Sequence, residues 1–158
     1  MHDVTAPDTR TTQRTGRSVL SGVLMGVGLA AFLDEVVFHQ ILRWHHFYDK
    51  STLDVGVMSD GFFHAGGWLA MVTGLFLFAD LHRRRVTLPK RVWAGGFLGW
   101  GGFQLYDGII QHKLFGLHQI RYDVNLTPYD VIWNGAAVFG LAIGIWLLLG
   151  SACPLRSR

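Results

Sequence analysis

Two stretches decide how this chain is read: DEVVFHQILRWHH, Asp34 to His46, and DGIIQHKLFGLHQIR, Asp107 to Arg121. Each closes a long apolar run. Each contains Asp-x4-His-x5-His, as Asp34, His39 and His45 in the first and as Asp107, His112 and His118 in the second. Acids and imidazoles are costly at the end of an apolar helix, so two copies of one polar pattern ask for a shared chemical reason.

Outward from these motifs, four apolar segments appear: Val19 to Phe38, Gly61 to Leu81, Val92 to Ile110 and Val131 to Leu149. Each approaches the ~20 residues with which a helix crosses ~30 Å of hydrocarbon. Half of the 158 residues are hydrophobic, and the 20 glycines and six tryptophans suit membrane helices and their interfaces. Arg14, Arg17 and the Ala30-Ala31 pair give the first segment some features of a signal peptide. The third segment repeats its pattern and cannot be a cleaved leader, so a membrane span is the better reading of both. The expected fold is all-α: a four-helix transmembrane bundle.

Basic residues set the expected topology. Arg10, Arg14 and Arg17 precede the first segment; His82 to Arg85, Lys90 and Arg91 join the second to the third; Arg156 and Arg158 follow the fourth. The other two loops carry Arg43, Lys50, Lys113 and Arg121 offset by Asp49, Asp54 and Asp123. Positive-inside bias places both termini in the cytoplasm of a multi-pass inner-membrane protein. Because the clusters flank apolar runs, the net charge of +3 speaks for topology and not for nucleic-acid binding. The expected organisation is a disordered cytoplasmic tail over 1–17, a membrane domain over 18–150 and a cytoplasmic tail over 151–158. The lone Cys153 makes no internal disulfide.

The halves align when the chain is slid by 73 positions, which brings Asp34 onto Asp107, His39 onto His112 and His45 onto His118. Gly22, Gly26 and Gly28 then fall on Gly95, Gly99 and Gly101. The second helices align at a slightly shorter offset, with Asp60 on Asp130 and His64 on Asn134. The expectation is two repeated helical hairpins, 18–82 and 91–150, related in parallel about an axis along the membrane normal. Gly22-x3-Gly26 and Gly95-x3-Gly99 are expected to let helices one and three approach closely. Such a bundle, with short outer loops and glycine-bearing faces, makes a homo-oligomer an expectation alongside contact with the lipid bilayer.

Six of the eight histidines lie at the outer ends, with Asp34, Glu35, Asp60, Asp107 and Asp130. Four readings follow. The residues decorate the interface beside Trp44, Phe47 and Tyr48; they form a cofactor-free acid–histidine network that joins the halves; they bind a transition metal such as Zn, Fe or Cu; or they ligate haem. Met58 is the only sulfur on that side, which argues against soft Cu⁺ ligation. For the metal reading, His39, His64 and His112 are the expected ligands, and His45 and His118 close the site from the loops. Asp34, Asp60 and Asp107 serve as ligands or as carboxylates that orient them. Glu35, Asp130 and Asn134 lie behind, and Asn134 in place of a histidine makes the site asymmetric. His46 has no counterpart in the second half and reads as interfacial. On an ideal α-helix Asp34 and His39, five positions apart, diverge by roughly 140° and need not touch. No hydrolase triad, phosphate loop or dinucleotide fingerprint is present.

The blocks FLDEVVFHQILRWHH, SDGFFHAGGW and GGFQLYDGIIQHKLFGLHQIR resemble a bacterial membrane family filed as domain of unknown function 2243, over roughly Ser18 to Leu149. The resemblance implies a four-helix inner-membrane protein with histidine-rich outer ends. It also implies a neighbourhood of respiratory-complex assembly proteins, and through them copper handling. Lys113 and Gln119 stand where the family's second block commonly has a further histidine. The functions expected from the sequence are metal binding or delivery, or metal-dependent redox chemistry.

Overall fold

The computed structural model describes residues 9–150. These form four helices and, among the described residues, no strand. Helix α1 spans Thr9–Asp34 and runs on into π-helical turns over Glu35–Ile41; α2 spans Leu53–Arg83; α3 spans Pro89–Leu105 and continues as π-helical turns over Tyr106–Phe115; α4 spans Thr127–Gly150. Helix α1 begins ahead of the apolar run, so residues 9–17, expected in a disordered tail, are helical; arginine is a good helix former. The rest of that tail, 1–8, and the expected tail at 151–158 lie outside the described residues.

Local sequence accounts for the ends. Thr52 caps α2, its Oγ1 accepting from Val55 N at 3.4 Å, with Asp54 in the first turn and His82 and Arg83 in the last. That order complements the helix dipole. Pro89 opens α3 and Pro128 lies in the first turn of α4, where a missing N–H costs nothing.

Three helices are long and apolar enough to cross a membrane: 11–41, 53–83 and 127–150. The regular α-helical part of α3 has 17 residues and reaches a spanning length only with the π-helical turns that follow it. Phe62, Trp68, Leu69 and Phe76 on α2, and Ile132, Phe139, Trp146 and Leu149 on α4, are exposed. Apolar faces of that kind suit contact with lipid.

The packing order is α2–α1–α3–α4, with α1 and α3 as the central pair. Among the described residues α2 and α4 do not meet, so the helices form a row and not a closed square. Glycines set the central contact. A Cβ on Gly22 would overlap the Val92 carbonyl oxygen, and one on Gly26 that of Gly96; Gly95 and Gly99 stand in the same way against Val19 and Val23. Such close approach brings backbones into van der Waals contact where no hydrophobic drive exists between lipid-solvated helices. Gly28 meets Gly67 and Met71 of α2, and Gly101 meets Ala137 and Leu141 of α4.

At the arginine-rich end, Asp80 of α2 accepts from Arg17 at 2.9 Å and from Arg84 at 2.9 Å. Between α1, α2 and α3 an apolar groove of about 1400 Å³ opens, lined by Leu29, Met71, Phe78, Trp93 and Trp100 and reaching His82 and Arg85. None of the residues of the two Asp-x4-His-x5-His motifs lines it.

Candidate metal centre

The opposite end holds the polar cluster, and the π-helical turns build it. In a π-helix the hydrogen bond runs from i to i+5, and side chains five apart come onto one face. His112 Nε2 therefore lies 3.0 Å from Asp107 Oδ2, and His39 Nε2 lies 3.8 Å from Asp34 Oδ2. The divergence expected from α-helical geometry is not what the chain does: the helix widens where the motif begins, and Asp-x4-His becomes a contact. Both wide segments end alike. Trp44 N bonds Phe38 O at 2.9 Å and Leu117 N bonds Gln111 O at 2.9 Å. Arg43 and Gly116, 73 positions apart, then take left-handed φ of 50° and 55°. This reversal returns His45 and His118 over the helix ends.

Two backbone bonds lock these loop histidines. His45 Nδ1 donates to Ile120 O at 2.9 Å, and His118 Nδ1 donates to Phe47 O at 2.9 Å. Each loop thus supplies the acceptor for the other loop's imidazole. A carbonyl oxygen accepts only, so Nδ1 carries a proton in both rings and Nε2 is the atom each ring turns to the cluster. His39 is set the same way by carboxylates. Its Nδ1 donates to Asp60 Oδ1 at 2.9 Å and lies 3.0 Å from Glu35 Oε2. Asp60 also accepts from His46 Nδ1 at 2.6 Å and Phe47 N at 2.7 Å. Three donors occupy that carboxylate, which makes Asp60 an orienting group for His39. His46 is correspondingly more than the interfacial residue its sequence suggested, since it clamps Asp60.

The Nε2 atoms of His39, His45, His112 and His118 are buried and have no hydrogen-bond partner among the described residues. The four residues are 1–4 % exposed. Burial, followed by the neighbouring His118, His39 and His112, pushes the His45 pKa down to about 2, which holds this loop imidazole neutral. Three groups of mutually close donor atoms arise: His45, His112 and His118; Asp34, His39 and His45; and Glu35, His39 and Asp60. In the third, His39 presents its protonated Nδ1 to the acids, so that group orients a ligand. The first brings three imidazole nitrogens, and the second two imidazole nitrogens and a carboxylate oxygen, within reach of one ion.

Aromatic rings cover the cluster. Phe63 stacks on His39 at 5.7 Å and on Phe47 at 4.9 Å, while Trp133 lies 6.2 Å from His112 and donates to Gln104 O at 3.0 Å. Trp44 is sandwiched between Phe38, at 5.3 Å, and the Arg121 guanidinium, at 4.9 Å, which also donates to Tyr129 Oη at 2.8 Å.

Three residues expected at the site stand apart from it. His64 packs against Phe32, ring centroids 6.1 Å apart, and joins none of the three groups. Asp60 and His64 share a helix face, but Asp60 turns to the loop carrying His46 and Phe47. Asp130 pairs with Lys113 at 2.6 Å, and Asn134 Nδ2 donates to Asp130 O at 2.9 Å, so neither reaches His112. Sequence reasoning missed the Ile120 and Phe47 carbonyls. The available signal was that each lies two residues beyond a motif histidine, in register with the other.

Residues 21–151 match the model of a family described as "Predicted membrane protein (DUF2243)". No curated protein and no solved structure matches the chain.

Proposed function

The chain belongs to this family of predicted membrane proteins, and from that premise we propose that it is a membrane metalloprotein whose polar cluster holds a transition-metal centre. One observation carries this reading: four buried imidazole Nε2 atoms without a hydrogen-bond partner among the described residues, three of them on rings tethered through Nδ1, gather with Asp34 and Asp107, which lie 3.8 Å from His39 Nε2 and 3.0 Å from His112 Nε2. Lone pairs and carboxylate oxygens packed together repel unless a proton or a metal cation lies among them. Imidazole and carboxylate donors suit Zn²⁺, Fe²⁺, Mn²⁺ or Cu²⁺. The acids behind His39 match the way metal-bound histidines are oriented in general. An ion there would act as a Lewis acid or a redox centre; the protein's own residues position ligands and exclude water.

A cofactor-free network is the second reading; against it, the Nε2 atoms of His39, His45, His112 and His118 complete no well-aligned hydrogen bond among the described residues. Haem fits less well: imidazoles in direct ring contact, 4.6 Å between His45 and His118, leave no slot for a macrocycle. Burial of all four imidazoles supports a retained ion over one in transit to another protein.

Matched features 73 positions apart, in motif spacing, left-handed turns and exchanged histidine bonds, support duplicated hairpins. We read them as a four-span bundle in a bacterial inner membrane with cytoplasmic termini, the basic loop at 82–91 inside and the cluster outside.

Elemental analysis of the detergent-purified protein tests the metal reading. Stoichiometric transition metal, lost on His118→Ala, supports it; folded protein without metal, and with no uptake from added Zn²⁺, Fe²⁺, Mn²⁺ or Cu²⁺, refutes it.

A further inference from the structure

The four imidazoles are not evenly spaced. Ring centroids are 4.6 Å apart for His39 and His45, 4.6 Å for His45 and His118, and 4.7 Å for His118 and His112. The next-neighbour pairs are wider, 6.2 Å for His39 and His118 and 6.1 Å for His45 and His112. The order of contact is a bent row, His39–His45–His118–His112, that turns by nearly a right angle at each middle ring. A tetrahedral four-histidine ion would instead place all six pairs at similar separations.

Each end of the row has its own carboxylate. Asp34 Oδ2 lies 3.8 Å from His39 Nε2. Asp107 lies 3.0 Å from His112 Nε2 through one oxygen and 3.6 Å from His118 Nε2 through the other. Two sets of one carboxylate and two imidazoles can be drawn, Asp34, His39 and His45 at one end and Asp107, His112 and His118 at the other, with His45 also close to His112 and His118. Two imidazoles and one carboxylate form the set that binds non-haem Fe²⁺ and its neighbours in size and charge while leaving positions open.

Charge points the same way. Asp34, Glu35, Asp60 and Asp107 are 1–3 % exposed, and among the described residues no lysine or arginine pairs with any of them. Their only ion-pair partners among the described residues are histidines; with those neutral, one divalent ion balances two of the four carboxylates and two balance all four.

We propose that the cluster takes two divalent transition-metal ions, one per Asp-x4-His-x5-His motif, held side by side across the stacked His45 and His118. This rests on the metal-centre reading above and sets its nuclearity and ligand partition. Spacing explains the motif: the π-helical i,i+5 step supplies carboxylate and first imidazole, and the left-handed return supplies the second.

The test is metal uptake by the full-length apoprotein in detergent, measured by equilibrium dialysis against Zn²⁺ and, separately, by electron paramagnetic resonance with Mn²⁺. The wild type should bind about two Zn²⁺ per chain, and Asp34→Asn and Asp107→Asn, which preserve side-chain shape, should each bind about one. Mn²⁺ should give a spin-coupled signal in the wild type that becomes an isolated-ion signal in either variant. Helical circular dichroism and a monodisperse elution profile establish that the variants are folded; if one is not, the wild-type stoichiometry and coupling decide alone. A single Zn²⁺ with an uncoupled Mn²⁺ signal overturns the two-ion proposal and leaves one metal centre. No binding of either ion overturns this proposal, and the metal-centre reading fails with it if Fe²⁺ and Cu²⁺ are refused as well.

Discussion

The rings of His45 and His118 lie face to face, 4.6 Å between centroids and 5° between planes, each tethered by Nδ1 to the backbone of the opposite loop. Two imidazoles stacked and tethered in this way send both Nε2 atoms into the cluster. The contact therefore joins the two loops and sets the ligand geometry together.

Asp60 is predicted to act through His39. Asp60→Asn keeps the shape but replaces an acceptor of three hydrogen bonds with a group that must also donate. Metal affinity should fall by roughly 10–100-fold, the usual effect of removing an orienting carboxylate. Competition dialysis against a chelator measures this. An unchanged affinity would show that His39 is not held by Asp60.

The central helix contact should be intolerant of bulk. Gly99→Leu places a side chain against the Val23 carbonyl and should destabilise by about 1–3 kcal/mol or more. Gly61→Ala and Gly66→Ala meet nothing within 4 Å and serve as controls near the wild type. Thermal unfolding in detergent reads the difference.

The two left-handed turns should respond in opposite directions. Arg43→Gly removes a Cβ from a φ of 50° and should stabilise by up to about 1 kcal/mol. Gly116→Ala adds a Cβ at a φ of 55° and should destabilise by about 1 kcal/mol. Equal effects of the same sign would contradict the backbone reading.

Topology is checked with single cysteines in a Cys153→Ser background. An impermeant thiol reagent applied to intact cells should label Asn125→Cys and spare Arg85→Cys. The reverse pattern would place the histidine cluster in the cytoplasm.

The four helices were legible because apolar length is a composition-level signal. Gly22, Gly26, Gly95 and Gly99 were readable as contact residues because only small residues allow backbones to touch. The cluster was legible in part. Asp34, His39, His45, Asp107, His112 and His118 announced themselves by repetition, but their mutual geometry did not, since α-helical arithmetic parts residues that π-helical turns bring together. His64 was misleading: it shares a face with Asp60, yet the Asp60 carboxylate is taken by His46 and the Phe47 amide, a tertiary choice that helix spacing does not encode. Asp130 and Asn134 copy the positions of Asp60 and His64, but Lys113 in the second half claims Asp130 first.

The most direct measurement of the central claim is X-ray absorption at the metal edge of the protein as purified. The account predicts nitrogen and oxygen neighbours near 2.0–2.2 Å, as for histidine and carboxylate ligands in general, with outer-shell scattering from imidazole rings that weakens in His45→Ala and His118→Ala. An edge absent from folded protein, or present without imidazole scattering, would contradict it.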